Sequence, residues 1–227
     1  MHRWQALAGE LSATAVDLVA LTGDYADGPT GDADAVAVLE RLSQSWRARF
    51  GAFGIFGNHD GAGLVARATR TPGVRWLGNE AVLLPGLVVC GGSFPEDACA
   101  IGMAASDAAG ATSSVDGAPF VIGLVHYPTE GLPLASFGVH LVLAGHTHGG
   151  QVRVSARCAP HTSCDLPGSM PSGLLRFGET LIAVSRGLGD AVVPFRVRCA
   201  RHAPLYVLRR GEWAEPGAEG LSTVRAW

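Results

Sequence analysis

Residue types that commonly bind metal ions stand where four apolar segments of the chain end. The segments are VDLVAL, FGIF, FVIGLV and HLVLAG, short continuous apolar runs that are typical of buried strands. The candidates are Asp24, Asn58, His59, Asp60, His126, His146 and His148. Ligands of α/β sheets gather outside the carboxyl ends of the strands, so we expect these side chains to converge on one site.

Taken one at a time, several of these residues have ordinary structural explanations. A Gly-Asp turn such as Gly23–Asp24 commonly ends a strand, and His126 could be a hydrogen-bonded core histidine. His146 and His148 are harder to explain in this way, because they flank Thr147 between glycines that leave open backbone space around them. The convergence of the whole set, rather than any single residue, indicates a functional site.

Composition and charge exclude several classes of partner. The chain has 227 residues, of which 48% are hydrophobic, and a formal charge of −3 without a long basic block. We therefore expect a substantial core and no nucleic-acid-binding patch. No run approaches the roughly 18 apolar residues of a membrane span, and the first residues do not resemble a secretory signal. A cytoplasmic or peripheral membrane location is expected, with export possible if an upstream signal is missing.

The five cysteines do not form the pattern of a disulfide framework. Cys158 and Cys164 bracket His161 in CAPHTSC, which could suggest a zinc loop, but structural zinc sites usually have four ligands at tighter paired spacing. We expect an incidental loop here. A local disulfide stays open if the protein is exported.

The hydrophobic pattern predicts an α/β domain. Helical spacing is found over residues 3–14 and 32–48, and strands are expected at the four segments above, at RWLG, within AVLLPGLVVCGG, and at LLRF, TLIAVS and PLYVLRR. Strands and helices interleave at first and strands then dominate, as in mixed layered domains. We expect one domain over residues 1–210 and a disordered tail over residues 211–227.

Four motifs together resemble the calcineurin-like metallophosphoesterases. They are LTGDYADG at 21–28, FGNHD at 56–60, VHYP at 125–128 and AGHTHGGQ at 144–151. Their order and approximate spacing are those of the family, and they cover most of the chain. The GHTHGGQ form, with VSRGLGD at 184–190, resembles a bacterial branch of phosphodiesterases often associated with membranes. The resemblance implies a four-layer αββα double β-sandwich that carries two divalent metal ions.

The resemblance also implies roles for individual residues. Asp24 would bridge both ions; Asn58, His126 and His146 would complete one ion, and His148 would ligate the other. Such oxygen and nitrogen ligands suit Mn²⁺, Fe²⁺/Fe³⁺ or Zn²⁺. A shared water that loses its proton would be the nucleophile. His59 resembles the residue that protonates the leaving alkoxide or hydrogen-bonds the phosphate, and Asp60 would orient His59 and keep it protonated.

Arg186, within SRGLG, has two open interpretations. Its planar fork could hold a phosphate through two hydrogen bonds, or it could be a solvated arginine in a glycine turn. Nothing in the sequence alone determines its direction.

One motif of the family is not found ahead of Asp24. The family opens with Asp-x-His on its first strand, whereas here the only upstream aspartate is Asp17, within VDLVAL, and the only upstream histidine is His2. We therefore expect the first strand and two ligands of one ion to be missing from the printed sequence, and in-frame codons upstream of Met1 to encode them.

These observations predict a metal-dependent phosphoesterase that acts on a phosphodiester more readily than on a monoester. The substrate would be a small-molecule or lipid-type phosphoester. One alternative is a degenerate, non-catalytic relative that binds a metal ion or a phosphorylated ligand. A zinc hydrolase of another bond type is a third possibility, although GNHD and GHTH do not resemble its usual patterns.

Overall fold

The computed structural model describes residues 2–111, 117–155, 158–166, 171–191 and 193–209. Its helices are α1 (His2–Ala13), α2 (Asp32–Ser43), α3 (Ala62–Ala68), α4 (Ala98–Gly110) and α5 (Gly131–Leu134). Its strands are β1 (Ala15–Val16), β2 (Val19–Thr22), β3 (Arg47–Ala48), β4 (Ala52–Ile55), β5 (Val74–Trp76), β6 (Glu80–Leu84), β7 (Leu87–Gly91), β8 (Phe120–Val125), β9 (Leu141–Ala144), β10 (Gly173–Phe177) and β11 (Thr180–Val184). The predicted tail, residues 211–227, lies outside the described residues.

Two sheets carry the fold. The larger has the order β10-β11-β9-β8-β7-β6, and the smaller has the order β2-β4-β5; a short parallel pair joins β1 to β3. All strands of the small sheet run parallel, as do β7, β8, β9 and β11, while β6 and β10 pair antiparallel at the two edges. Parallel strands bring their carboxyl ends to one edge of each sheet, which is where the candidate site residues follow.

The sheets pack face to face over a shared apolar core. Phe53 and Ile55 of the small sheet meet Ile122, Leu124 and other buried residues of the large sheet in one cluster. The outer face of the large sheet is covered by α4 and α5, and the outer face of the small sheet by α2 and α3. These four layers confirm the predicted mixed α/β fold with an αββα arrangement.

Several predicted element boundaries differ from the structure. The run VDLVAL, predicted as one strand, is divided between β1, which ends at Val16, and β2, which begins at Val19. The second helix ends at Ser43 instead of residue 48, because a tight turn in which the amides of Ser45 and Trp46 both bond the Leu42 carbonyl leads into β3. The strand predicted over 204–210 is wrong for residues 204–209, which pair with no strand and leave Leu205 and Val207 about half exposed. Apolar alternation indicates a strand only where a partner edge is available.

Among the described residues, no helix combines the length and apolar character needed to cross a bilayer.

Candidate metal centre

Four side chains converge where the two sheets meet. Asp24 follows β2, Asn58 follows β4, His126 directly follows β8 and His146 follows β9. The Nε2 atom of His126 lies 3.1 Å from Asp24 Oδ2, 3.0 Å from Asn58 Oδ1 and 3.2 Å from His146 Nδ1. Asn58 Oδ1 lies 3.1 Å from His146 Nδ1. The expected convergence of these residues is present, and one potential ligand atom from each of Asp24, His126 and His146 lies within 4.8 Å of the others.

Backbone carbonyls engage the outward nitrogen of each histidine. His126 Nδ1 is 2.7 Å from the Thr22 carbonyl oxygen, and His146 Nε2 is 2.7 Å from the Ser163 carbonyl oxygen. A carbonyl can only accept, so each outward nitrogen is the one that carries a proton. In the neutral imidazole, the lone pair of the other nitrogen then points into the cluster, which is the arrangement of metal-binding histidines. The donor set therefore fits a divalent ion.

Protonation of His126 is coupled to the charge of Asp24. Burial, the largest single influence, would raise the pKa of Asp24 and lower that of His126, but the hydrogen bond and the charge attraction between these two side chains, together with backbone hydrogen bonds, outweigh it. The pKa of Asp24 is therefore lowered and that of His126 raised. A metal ion requires neutral imidazole and ionised carboxylate, so a metal ion and a proton would compete for His126.

Backbone strain marks the same loops. Asp24, His146 and His148 have φ values of 58°, 63° and 49°, in the left-handed region that non-glycine residues seldom adopt. Such conformations cost ~1–3 kcal/mol each and cluster at functional sites. In the sequence, the glycines that stand next to Asp24 and around the His146–His148 pair indicate these turns.

Asp60 has a role different from the predicted one. Its Oδ2 atom accepts the backbone N–H groups of Asp24 (2.8 Å) and Gly57 (2.7 Å), and its Oδ1 atom accepts that of Tyr25 (2.8 Å). Both oxygens are thus engaged with the loops that follow β2 and β4. The prediction that Asp60 orients His59 is wrong, because the carboxylate adjacent in sequence is directed at backbone amides that need an acceptor.

His59 lies at the exposed border of the cluster. Its backbone N–H donates to Asp24 Oδ1 over 3.0 Å, while its ring is 44% exposed with Nδ1 3.6 Å from Asp27 Oδ1. The carboxylate that faces the ring is therefore Asp27, a residue of the LTGDYADG motif that sequence reasoning did not select. The catalytic role of His59 stays a prediction.

His148 is not part of the converged ligand group. Burial, followed by the positive charge of Arg196, lowers the pKa of its imidazole and so favours the neutral form that can ligate. Its buried Nδ1 atom has no hydrogen-bond partner in the part of the chain that the structure describes. Assignment of His148 to a second ion stays a prediction.

Sequence reasoning missed three residues that support the cluster. Glu96 Oε1 accepts the backbone N–H groups of His126 (2.9 Å) and Tyr127 (3.1 Å), which holds the turn after β8. The ring of Tyr127 packs against that of His146 with centroids 3.8 Å apart. Ser163 contributes only its carbonyl. A backbone contact carries no side-chain signal, so no motif search could have found Ser163.

The loop between Cys158 and Cys164 contains Ser163, whose carbonyl contacts His146. All five cysteines are free, and the His161 ring contacts Ser163 Oγ at 3.1 Å. No ligand group involving Cys158, His161 or Cys164 is found among the described residues. The loop is not incidental, because the Ser163 carbonyl within it orients His146.

Comparison with known proteins shows the family of this chain. Residues 1–150 match the model of the calcineurin-like phosphoesterases. A protein of Bacillus subtilis (strain 168), named uncharacterized metallophosphoesterase YkuE, is 30% identical over 198 residues, 85% of this chain and 68% of that protein. An uncharacterized metallophosphoesterase of Aquifex aeolicus (strain VF5) is 31% identical over 187 residues, 80% of this chain and 68% of that protein. No solved structure matches the chain significantly. The chain belongs to the calcineurin-like phosphoesterase family.

Proposed function

We propose that the chain hydrolyses a phosphoester with the help of two divalent ions, Mn, Fe or Zn, bound at this centre. The observation that carries the proposal is the convergence of Asp24, Asn58, His126 and His146, with the spare nitrogen of each histidine bonded to a backbone carbonyl. The set contains no thiolate, which suits these metals. When bound, such ions supply Lewis-acid stabilisation of the charge that develops on phosphoryl oxygens.

The protein residues have separate tasks in this proposal. Asp24, Asn58, His126 and His146 hold one ion, and Asp24 with His148 contributes to the other. His59, exposed at the border of the cluster, delivers a proton to the leaving alkoxide, and Asp27 holds its ring. Asp60 keeps the loop that carries Asp24 closed against the loop that carries Asn58.

We assign a phosphodiester as the preferred substrate, of small-molecule or lipid type. The preference rests on the resemblance of the segment around His146–His148, and of SRGLG, to bacterial phosphodiesterases. The donor set itself is compatible with both ester classes, so the two must be compared directly.

The test combines metal analysis with hydrolysis. The desalted protein is analysed for bound metal, then assayed with bis(p-nitrophenyl) phosphate and p-nitrophenyl phosphate in the presence of Mn²⁺, Fe²⁺ or Zn²⁺. We expect metal-dependent hydrolysis that is faster with the diester. Asp24→Ala should lose both bound metal and hydrolysis, because Asp24 belongs to the ligand cluster. Asp17→Ala is the matched control, since that carboxylate is 77% exposed and lies 3.9 Å from an Arg49 nitrogen, away from the cluster.

A non-catalytic, metal-binding protein is the second candidate. It is favoured by the finding that only one converged ligand group is present in the described ranges and that His148 is outside it. Bound metal at about one ion per chain, lost in Asp24→Ala, with no hydrolysis of either ester under any of the three metals would favour this candidate over the first.

A further inference from the structure

Arg186 is placed at the edge of the sheet where the metal ligands lie. Strand β11 runs parallel to β9, with Val184 opposite Ala144, and the Ser185 amide continues this pairing by donating to the Ala144 carbonyl over 2.9 Å. Arg186 lies two residues after the end of β11, and His146 lies two residues after the end of β9. The arginine therefore follows the end of a strand that neighbours a ligand-bearing strand.

The stem of Arg186 packs over the glycine next to His148. A Cβ atom at Gly149 would lie 2.6 Å from Arg186 Cγ and 2.7 Å from an Arg153 terminal nitrogen. Both are closer than real contacts allow, and φ of Gly149 is +65°. Glycine at this position lets Arg186 approach the backbone beside His148.

Positive charge is in excess around Arg186. The nearby Asp190 carboxylate is engaged by Arg196 Nε at 3.0 Å and by Arg201, and the positive charges of Arg153 and Arg196 act on Arg186. Arg186 forms no ion pair within the described part of the chain. Because the whole chain carries a formal charge of −3, this excess is a local feature.

Buried donors near Arg186 have no partners. The Nε atom of Arg186 is buried without a hydrogen bond among the described residues, and so are both ring nitrogens of His202, a side chain only 5% exposed. The His202 amide donates to the Gly187 carbonyl over 2.9 Å, which holds this imidazole beside the Arg186 turn. Unpaired buried polar groups are costly and mark places where a ligand could bind.

We propose that Arg186 and His202 form an oxyanion site beside His148 that binds a phosphate group. The guanidinium fork matches two phosphate oxygens, and neutral His202 can donate one further hydrogen bond. The identification of this phosphate as part of the substrate rests on the proposed function. The binding of an oxyanion at this site does not depend on the proposed function.

The test uses the metal-free full chain, so that phosphate cannot bind through a metal ion. Protein treated with a chelator is titrated with inorganic phosphate by calorimetry at low salt. We expect wild-type protein to bind, and Arg186→Gln to weaken binding about tenfold or more, because charge-assisted hydrogen bonds contribute more than neutral ones. Arg70→Gln removes the same charge from an exposed position elsewhere and should leave the affinity unchanged. Equal affinity in wild type and Arg186→Gln, or no binding by wild type, would overturn the proposal.

Two further measurements cover a folding defect and the origin of the phosphate. Arg186→Lys keeps the charge and loses the fork, so it should fold and bind phosphate more weakly than wild type; unchanged affinity would overturn the proposal. In NMR spectra of wild type, the Arg186 Nε–H resonance should shift when phosphate is added. This resonance is identified by its absence from the spectrum of Arg186→Lys. In the metal-loaded protein, Arg186→Gln should raise the KM for a phosphoester without loss of metal. Failure of all hydrolysis, with phosphate binding intact, would reject the proposed function and leave this site standing.

Discussion

At the scale of single residues, the chemistry depends on which atom each histidine presents. His126 offers Nε2 and His146 offers Nδ1, because the carbonyls of Thr22 and Ser163 take the opposite nitrogens. The two rings therefore point different nitrogens at the same Asn58 oxygen. Ring orientation at this level determines whether a histidine can act as a ligand.

We expect His59→Ala to reduce turnover about 10²–10⁴-fold while metal content stays unchanged, as for loss of a general acid. The ring is exposed and absent from the converged ligand group, so its removal should not release metal. The loss should be larger for basic alkoxide leaving groups than for activated aryl ones, which need less protonation. Turnover rates of wild type and His59→Ala on substrates with alkoxide and with aryl leaving groups, together with metal analysis, test this role of His59. An equal loss for both leaving groups would remove His59 from the acid role.

At the scale of elements, the Asp60 carboxylate joins the loops after β2 and β4. Asp60 accepts the backbone N–H groups of Asp24, Tyr25 and Gly57. Asp60→Ala should lower the free energy of unfolding by at least ~2 kcal/mol, since each unsatisfied buried donor costs about 1–3 kcal/mol. It should also weaken metal binding, because Asp24 loses its support. Urea unfolding measures the change in stability, and metal titration measures the change in metal affinity. Wild-type stability together with wild-type metal affinity in Asp60→Ala would contradict this account.

Gly57 shows how closely these two loops approach. A Cβ atom there would overlap Asp24 Oδ1 and lie 2.5 Å from His126 Cε1. We expect Gly57→Ala to displace these side chains and abolish tight metal binding. Gly61→Ala is the matched control, because a Cβ atom at Gly61 would have no neighbour within 4 Å and its backbone is extended, with φ −64° and ψ 162°. Metal titration of the two variants should separate them; equal affinities would contradict this account.

At the scale of the whole molecule, the site exists because two sheets stack. Asp24 and Asn58 come from the small sheet, whereas His126 and His146 come from the large one. The buried apolar cluster between the sheets, which includes Ile55 and Leu124, sets the separation between these pairs. Dense packing of this kind leaves little freedom for the ligands to drift apart.

His202 should make the stability of the whole chain depend on pH. Burial, followed by the charges of Arg186 and Arg153, lowers its pKa to about 4. As pH falls from about 6.5, the unfolded chain takes up a proton that the folded chain refuses until about pH 4, so the free energy of unfolding falls over this range. We expect wild type to lose about 2 kcal/mol more than His202→Asn between pH 7 and pH 5, from about 1.4 kcal/mol per pKa unit. Urea unfolding at both pH values tests this, and parallel losses in the two proteins would refute it.

The sequence by itself determined the layered fold and four polar residues that the structure brings together. Apolar runs that end in Asp24, Asn58, His126 and His146 predict converging ligands, because parallel strands bring their carboxyl ends to one edge. The helix face of Val36, Leu39 and Leu42 is likewise buried as its spacing predicts. Local periodicity and strand-end chemistry are properties of short segments, and so they can be read from sequence.

Only the tertiary structure decided which groups contact these residues. Asp27 instead of Asp60 faces His59, Ser163 orients His146 through its carbonyl, and residues 204–209 find no strand edge. It also showed that Arg186 lies beside Gly149 with its Nε atom unpaired. Each of these contacts joins segments that are distant in sequence or uses backbone atoms common to every residue. Residue type therefore carries no signal for them, and packing of the sheets and loops selects them.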